Sequence, residues 1–202
     1  MKKLIIILIG ICLFPIHFTG QEKKQNATPK KLETKIIKEF KAKGKYKKII
    51  NDTLFTLTET ELDYILRVKR VGQNFQKISY YYKKTLILKS ENLRFKSMDI
   101  GVEKRYDKTG NLIKKKNYDK GFENFTVNDL ILFVNKKLKI DLNKDREGLS
   151  VIRFPQGLSN INRPEYYIDI YNKTSNKVRT IIINGNTRSI ISDTSEDIRA
   201  SI

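Results

Sequence analysis

The sequence is poor in the residue types that build many catalytic and metal sites. Its 202 residues include one cysteine, one histidine and no tryptophan. Cys12 and His17 both stand in the apolar segment that follows the first three residues. If that segment is removed, the remaining chain has neither a thiol nor an imidazole. Disulfides, Cys/His zinc sites, Ser-His-Asp triads and Cys-His nucleophiles are then excluded.

The apolar segment itself, residues 4–18, is predicted to direct export. It is shorter than the roughly 20 apolar residues of a membrane-spanning helix. It also lies at the chain start behind Lys2 and Lys3, which is typical of a secretory signal peptide. We expect residues 1–21 to be that signal peptide, with an uncleaved anchor as the alternative. The mature protein would then be periplasmic, cell-surface or secreted, without a transmembrane span.

Positive charge is abundant and unevenly placed. The chain has 41 lysine and arginine residues against 22 acidic ones, a formal net charge of +19. Residues 22–48 carry 11 lysines against 3 glutamates, whereas residues 122–202 carry 12 basic residues against 10 acidic ones. A basic first half attracts polyanions, which outside the cytoplasm are lipid headgroups, anionic glycans or nucleic acid. The alternative is that the lysines only keep the protein soluble.

Residues 22–44 are predicted to form a basic arm and a short amphipathic helix. Thr28-Pro29 is typical of a helix start, with threonine as the N-cap and proline in the first turn. Apolar residues follow at helical spacing from Leu32 to Phe40, and Gly44 is placed to end the helix. We expect this helix to cover one face of the adjoining sheet; a position on a membrane surface is the alternative.

Residues 45–121 show the alternation of a β-strand rather than the period of a helix. In the stretch 62–71, Tyr64 and Leu66 fall on one face and Arg67 on the other. Short strands with turn signals between them predict an antiparallel β-meander. One face of such a sheet is normally solvated. Lysine at alternate positions is therefore expected even without a ligand.

Residues 122–202 are predicted to form a small α+β unit. Thr126 and Asp129 have the spacing of a capping box and open an amphipathic helix. The strand-like runs that follow are 149–154, 165–172, 177–184 and 189–192. A helix followed by antiparallel strands is typical of a helix packed on a sheet. The β-meander and this α+β unit together give α+β as the expected fold class.

Two stretches resemble known families. The capped helix and the run YYIDIYNKTSNKVRTIIINGNTRSIIS (166–192) resemble the PepSY domain, in which a tyrosine-bearing strand leads to a strand that ends in an Asp-Gly-x-Thr-Gly-type turn. That turn here reads Asn-Gly-Asn-Thr-Arg (184–188). PepSY domains occur in exported proteins and propeptides, so the resemblance implies inhibition or chaperoning of a protease. YDKTGNLIKKKNYDKG (106–121) is similar to one unit of the YD and MORN-like hairpin repeats.

Two acidic groupings are interpreted as structural. DLNKDREG (141–148) imitates a calcium loop but lacks glycine at the sixth place and a carboxylate at the twelfth. Asp107 and Asp119 would make a carboxylate pair for acid–base work, but both stand near glycine at strand ends, where aspartate forms turns. Gly110 is expected to be the left-handed residue of a hairpin loop. We therefore predict no catalytic residue, no metal and no cofactor.

Lysines next to tyrosines are the candidate binding residues. Such runs combine charge with aromatic stacking, as platforms for single strands or glycans do. On a strand, Tyr80 and Tyr82 share one face while Tyr81 points to the other, so the tyrosine run divides between core and surface. The predicted polyanion-binding residues are Lys47, Lys48, Lys83, Lys84, Lys114, Lys115 and Lys116.

These features predict a non-enzymatic, exported binding protein, with an enzyme ranked last. One hypothesis is a protein partner of the envelope or medium, such as a protease, held by the sheet or sheet edge of residues 122–202. The other is a polyanion or glycan of the cell envelope, held by the lysines of residues 22–121 and released steeply by salt. No specific nucleic-acid site is expected. The identity of the partner does not follow from the fold.

Overall fold

The computed structural model describes residues 28–157 and 161–198, so the predicted signal peptide at 1–21 lies outside the described residues. The described chain is mostly β, with two helices and two antiparallel sheets. Neither helix has the length and apolarity of a membrane span. The elements in chain order are α1 (Thr34–Lys43), β1 (Tyr46–Ile50), β2 (Thr53–Glu59), β3 (Asp63–Arg70), β4 (Phe75–Tyr82), β5 (Leu88–Phe95), β6 (Met98–Tyr106), β7 (Leu112–Asn117), α2 (Val127–Leu138), β8 (Leu149–Phe154), β9 (Glu165–Asn172), β10 (Lys177–Asn184) and β11 (Ile190–Asp197).

The first seven strands form one antiparallel sheet in the order of the sequence, which confirms the predicted meander. Each strand pairs with the next through a short turn, as antiparallel neighbours allow. Asn51 and Asp52 form the first turn with φ of 47° and 59°. Asparagine and aspartate tolerate this left-handed conformation. Strands β1 and β7 are the two edges of the sheet.

The last four strands form a second antiparallel sheet in the order β11-β10-β9-β8, preceded by α2. The predicted capping box is confirmed, because the Thr126 side chain accepts from the Asp129 N–H and the Asp129 carboxylate accepts from the Thr126 N–H. Strands β8, β9 and β10 begin and end where the alternation predicts. Strand β11 extends beyond the predicted 192, because it pairs along β10 as far as Lys177 with Asp197.

Helix α1 begins later than the sequence predicts. The chain before it is extended, and the Leu32 N–H donates to the Leu86 carbonyl at 2.8 Å. This backbone pairing attaches the segment to the meander, so the predicted N-cap at Thr28 is wrong and the helix starts at Thr34. The helix ends as predicted, because Gly44 takes a left-handed φ of 65°.

One face of the meander, which we call the covered face, carries the apolar side chains. Tyr64 and Tyr81 are buried there against Leu32 and Ile37 of the N-terminal segment, which confirms that α1 covers one face of the sheet. The same alternation puts Phe95 on this face near the β5–β6 turn. There the covered face contacts the second sheet rather than α1.

The core at that end is shared by both sheets. Phe95, Met98 and Ile100 of the meander are buried in one cluster with α2 and the four-stranded sheet. The side chains that this second part of the chain contributes include Phe122, Phe125, Val127, Leu130, Val134, Val151, Tyr166, Ile168, Ile181 and Ile183. The apolar core is therefore continuous across the boundary predicted at residue 121.

Arg153 of β8 joins the two sheets by hydrogen bonds. Its guanidinium donates to the Asp119 carboxylate at 2.8 Å and to the carbonyls of Asp99 and Tyr118 at 2.8 and 2.7 Å. Because the side chain is only 8% exposed, these acceptors replace the water that a buried cation loses. The Asp119 carboxylate also accepts from the Gly101 N–H at 2.9 Å. The interpretation of Asp119 as a simple turn residue is therefore wrong, since its carboxylate links separate elements.

The β6–β7 loop confirms the predicted hairpin turn. The Asp107 carboxylate accepts from the Thr109 hydroxyl at 2.6 Å and from the Asn111 N–H at 2.9 Å, and these bonds lower the pKa of Asp107 to about 2. Gly110 has a φ of 95°, which favours glycine. A Cβ at this position would lie 2.3 Å from the Cβ of Pro29. The loop thus requires glycine for its backbone and for this close approach.

Candidate functional site

The other face of the meander, which we call the open face, contains a groove of about 440 Å³. Its walls come from strands β3 to β7 and from Tyr118. Alternation along the strands turns most of these side chains away from the covered face, and register shifts in β5 and β6 allow adjacent residues to line the groove. The lining is polar and aromatic, with Ile113 as its one aliphatic side chain.

Two buried isoleucines lie on the open face among the groove residues. Ile65 and Ile78 are 8% and 1% exposed, yet neither belongs to the two core clusters. Ile65 pairs with Tyr80, and Ile78 pairs with Asn92, across neighbouring strands. Larger side chains of the open face therefore cover these two isoleucines, which do not line the groove itself.

Three ion pairs make the groove nearly neutral. They are Lys89 with Asp63 at 2.7 Å, Arg94 with Asp99 at 3.0 Å, and Arg105 with Glu103 at 2.6 Å. Cations and carboxylates are equal in number among these lining residues. A groove of balanced charge is not complementary to a polyanion along its whole length. It offers donors and acceptors in fixed positions instead.

Glu103 is the most enclosed carboxylate of the groove, with 7% of the residue exposed. It accepts from Arg105 at 2.6 Å and from the Tyr118 hydroxyl at 3.0 Å. Burial opposes its ionisation, but these hydrogen bonds outweigh burial and hold the pKa of Glu103 below its usual value. At neutral pH it is therefore a fixed anion that orients Arg105 and Tyr118.

The tyrosines of β4 divide between the two faces, as predicted. Tyr80 and Tyr82 line the groove, whereas Tyr81 is buried in the core of the covered face. The Tyr82 hydroxyl donates to the Tyr106 carbonyl at 3.0 Å, and the Lys89 Nζ lies 5.6 Å from the Tyr82 ring centroid. With Tyr118, these tyrosines give the groove aromatic surface beside charged and hydrogen-bonding groups, whereas Tyr106 contributes its carbonyl and packs its ring against the core of the covered face.

The predicted lysines do not form one cluster. Lys47 and Lys48 lie on β1 and the triplet 114–116 lies on β7, at opposite edges of the sheet. At a strand spacing of about 4.8 Å, the two edges are roughly 29 Å apart. Lys83 and Lys84 lie in the turn after β4. A single polyanion site made from all seven lysines is therefore not supported by this geometry.

Two of these lysines are already paired with carboxylates. The Lys48 Nζ lies 2.6 Å from the Glu39 carboxylate of α1. Lys83 forms an ion pair with Glu59. Their charge is therefore partly neutralised within the protein, whereas all of β7 is exposed.

The acidic loop 141–148 connects the two sheets. The Asp145 carboxylate accepts from Lys69 at 2.6 Å. The Asn74 side chain donates to the carbonyls of Leu142 and Lys144 at 2.8 and 3.0 Å. In residues 28–157 and 161–198 no three His, Cys, Asp or Glu side chains are grouped as a metal site.

A second groove, of about 570 Å³, lies beside the β9–β10 hairpin. Tyr171 is its single aromatic residue. Three of its four cations are paired with carboxylates, namely Lys173 with Glu147 at 2.6 Å, Lys177 with Asp197 at 3.6 Å, and Arg179 with Asp193 at 2.7 Å. The groove of the open face has more aromatic surface and is the better candidate site.

The carboxylates and arginines of the groove are the residues that sequence reasoning missed. Asp63, Asp99 and Glu103 come from two strands that are not neighbours, and only the sheet register brings them to one face. Alternation in β5 gives a partial signal, since Asn92 and Arg94 fall on the same face of that strand. That pattern indicates a polar face but not a groove.

The chain matches no protein-family model, no curated protein and no solved structure. The PepSY-like and YD/MORN-like resemblances therefore stay predictions. The described residues show only a helix and a small antiparallel sheet in the region of the first resemblance, and a hairpin in the region of the second.

Proposed function

We propose that the protein is a non-enzymatic binding protein that holds a glycan of the cell envelope in the groove of the open face. The observation that carries the proposal is the combination of tyrosines with charge-balanced polar groups in one groove. Export to the envelope is part of the proposal and is supported by the signal-like segment at residues 4–18.

The groove chemistry suits sugars because their rings have apolar faces and a rim of hydroxyl groups. Tyr80 offers aromatic surface, and tyrosine combines an apolar ring with a polar tip. Arg94 and Asn92 both donate to Asp99, at 3.0 and 2.6 Å, which fixes their orientation. Side chains that are ordered before binding lose less conformational entropy when a ligand arrives.

Binding is a better interpretation than catalysis for this site. Each carboxylate of the groove has a cationic partner within 3.0 Å. A general acid or base requires a pKa near the working pH, whereas the pKa of Glu103 is lowered further from neutrality by its hydrogen bonds. Glu103 is thus held as an anion, which suits recognition.

The test is oligosaccharide binding by calorimetry, with Tyr80→Ala compared with Tyr171→Ala. Both changes remove one half-buried tyrosine, but only Tyr80 lies in the groove. We expect Tyr80→Ala to weaken binding about tenfold, the effect of losing roughly 1.4 kcal/mol of contact. Tyr171→Ala should bind like the parent protein. Equal loss in both variants, or no binding of any oligosaccharide, would contradict the proposal.

A protein partner at the edge of the four-stranded sheet is the second candidate function. Among the strands that the structure describes, β11 pairs with β10 alone, and Ile190 and Ile191 are each 39% exposed on it. An extended segment of a partner can add to such an edge by main-chain hydrogen bonds. A PepSY-like inhibitory role would use this part of the chain. Ile191→Asp should then abolish capture of the partner, whereas Tyr80→Ala should not affect it.

A further inference from the structure

The three consecutive lysines of β7 point to different faces of the sheet. Lys116 pairs with Glu103 and Lys114 pairs with Arg105, both of which line the groove. Directly opposite residues share a face. Lys115 pairs with Lys104, which pairs in turn with Glu91. Lys114 and Lys116 therefore border the groove, and Lys115 lies on the opposite side of the sheet.

Contacts of Lys116 agree with this assignment. Its Nζ lies 4.2 Å from the centroid of the Tyr118 ring. The Tyr118 hydroxyl donates to the groove carboxylate of Glu103 at 3.0 Å. Lys116 also helps to lower the pKa of Glu103 through its charge. The β7 end of the groove is thus built from these three side chains together with Arg105.

Positive charge exceeds negative charge at this end of the groove. Arg105, Lys114 and Lys116 are balanced only by Glu103. Among the described residues neither lysine has a carboxylate within ion-pair distance. Arg105 and Lys114 also stand directly opposite each other, and like charges in that position are destabilising. An anion bound at this end would relieve that repulsion.

From this arrangement we infer that the β7 end of the groove binds the acidic group of an anionic glycan, a carboxylate or a sulfate. The inference rests on the proposed function, since the sugar rings occupy the neutral part of the groove. Hydrogen bonds from lysine and arginine to an anionic oxygen are stronger than those between neutral groups. Neutral glycans fit the same groove but lack this contact.

Protection of an edge strand is the other use of lysines on β7. Edge lysines discourage pairing with another chain. Protection depends on the charge of the strand and not on the face to which a lysine points. Lys115 is therefore a matched control, because it has the same charge and the same strand but the opposite face.

The experiment measures binding to paired oligosaccharides that share a backbone. Uronic-acid chains are compared with their methyl esters, and sulfated chains with their unsulfated forms. The protein should bind the acidic member of at least one pair about tenfold more tightly, as one or two charge-assisted contacts would give. Lys114→Ala/Lys116→Ala should remove this preference, so that the double variant binds the acidic and neutral members equally. Lys115→Ala should keep it.

Different failures identify which idea is wrong. If acidic and neutral members bind equally, the inference fails while the proposed function stands. If neither member of any pair binds, both fail. If Lys115→Ala weakens acidic binding as much as the double variant, or if polyglutamate binds as tightly as the acidic glycan, the surface attracts anions in general and the inference is overturned. Thermal melting of each variant establishes that the fold is unchanged.

Discussion

The covered and open faces of the meander share the same strands but differ in what their side chains contact. On the covered face, Tyr81 and Phe95 are almost fully buried among apolar residues. On the open face, Tyr80 and Arg94, the neighbours of those two residues in sequence, line a polar groove. Because side chains alternate along a strand, adjacent residues belong to different surfaces, one that stabilises the fold and one that is the candidate binding site.

The covered face also shows why the protein can expose a charged groove. Its apolar residues contact α1 at one end and the four-stranded sheet at the other. This burial supplies the stability, so the open face is free to hold ion pairs that contribute little when solvent-exposed. We therefore expect substitutions on the covered face to reduce stability, and substitutions on the open face to reduce binding.

The largest expected effect is on the covered face, at Phe95. Its side chain is 0% exposed and lies in the core that both sheets share. Phe95→Ala should lower the free energy of unfolding by about 3–5 kcal/mol. Ile113→Ala on the open-face side, 64% exposed, should change it by less than about 1 kcal/mol. Urea denaturation measures both, and similar losses would contradict the division between the faces.

An intermediate effect is expected at Gly110, where the hairpin loop meets Pro29. Alanine in a left-handed conformation costs about 1–2 kcal/mol, and its Cβ would also meet the Pro29 Cβ at 2.3 Å. Gly44→Ala is the matched control, because its φ of 65° is also left-handed but no atom lies within 4 Å of the added Cβ. Thermal melting should show a larger loss for Gly110→Ala. Equal losses would mean that Pro29 moves aside freely.

The smallest expected effect is the acid sensitivity of the open face. Because the folded-state pKa of Glu103 lies below its ordinary value of 4.5, its ion pair stabilises the protein above that pH. This contribution is lost as the pH falls through the folded-state pKa. Glu103→Gln should therefore flatten the pH dependence of the unfolding free energy below about pH 4.5, close to the usual glutamate pKa. If the unfolding free energies of the two proteins change with pH in parallel, Glu103 does not contribute to the acid sensitivity.

Much of the fold was predictable because its signals are local. The capping box at Thr126, the limits of β8 to β10 and the hairpin glycine at Gly110 each depend on residues that are close in sequence. The start of α1 could not be predicted, because it depends on the pairing of Leu32 with Leu86. Local residue spacing carries no information about that contact.

The candidate site was less predictable than the fold. The tyrosine division in β4 followed from alternation alone. Placing Asp63, Asp99 and Glu103 on one face required the register of four strands, including two shifts, between Tyr80 and Tyr81 and between Glu91 and Leu93. Each shift changes which residue opposes which. Such register shifts cannot be recognised from the amino-acid composition of the strands.

The link through Arg153 has a consequence for the order in which the chain can fold during synthesis. All strands of the meander precede residue 118, and their pairings are between neighbours, so they can form early. Asp119, Phe95 and Met98, however, also have partners among residues that are made later, such as Arg153 and Ile181. When the meander has just been synthesised, the end of its covered face that carries Phe95 and Met98 therefore still lacks the residues that bury it. The final strands of the protein complete the core of the sheet that was made first.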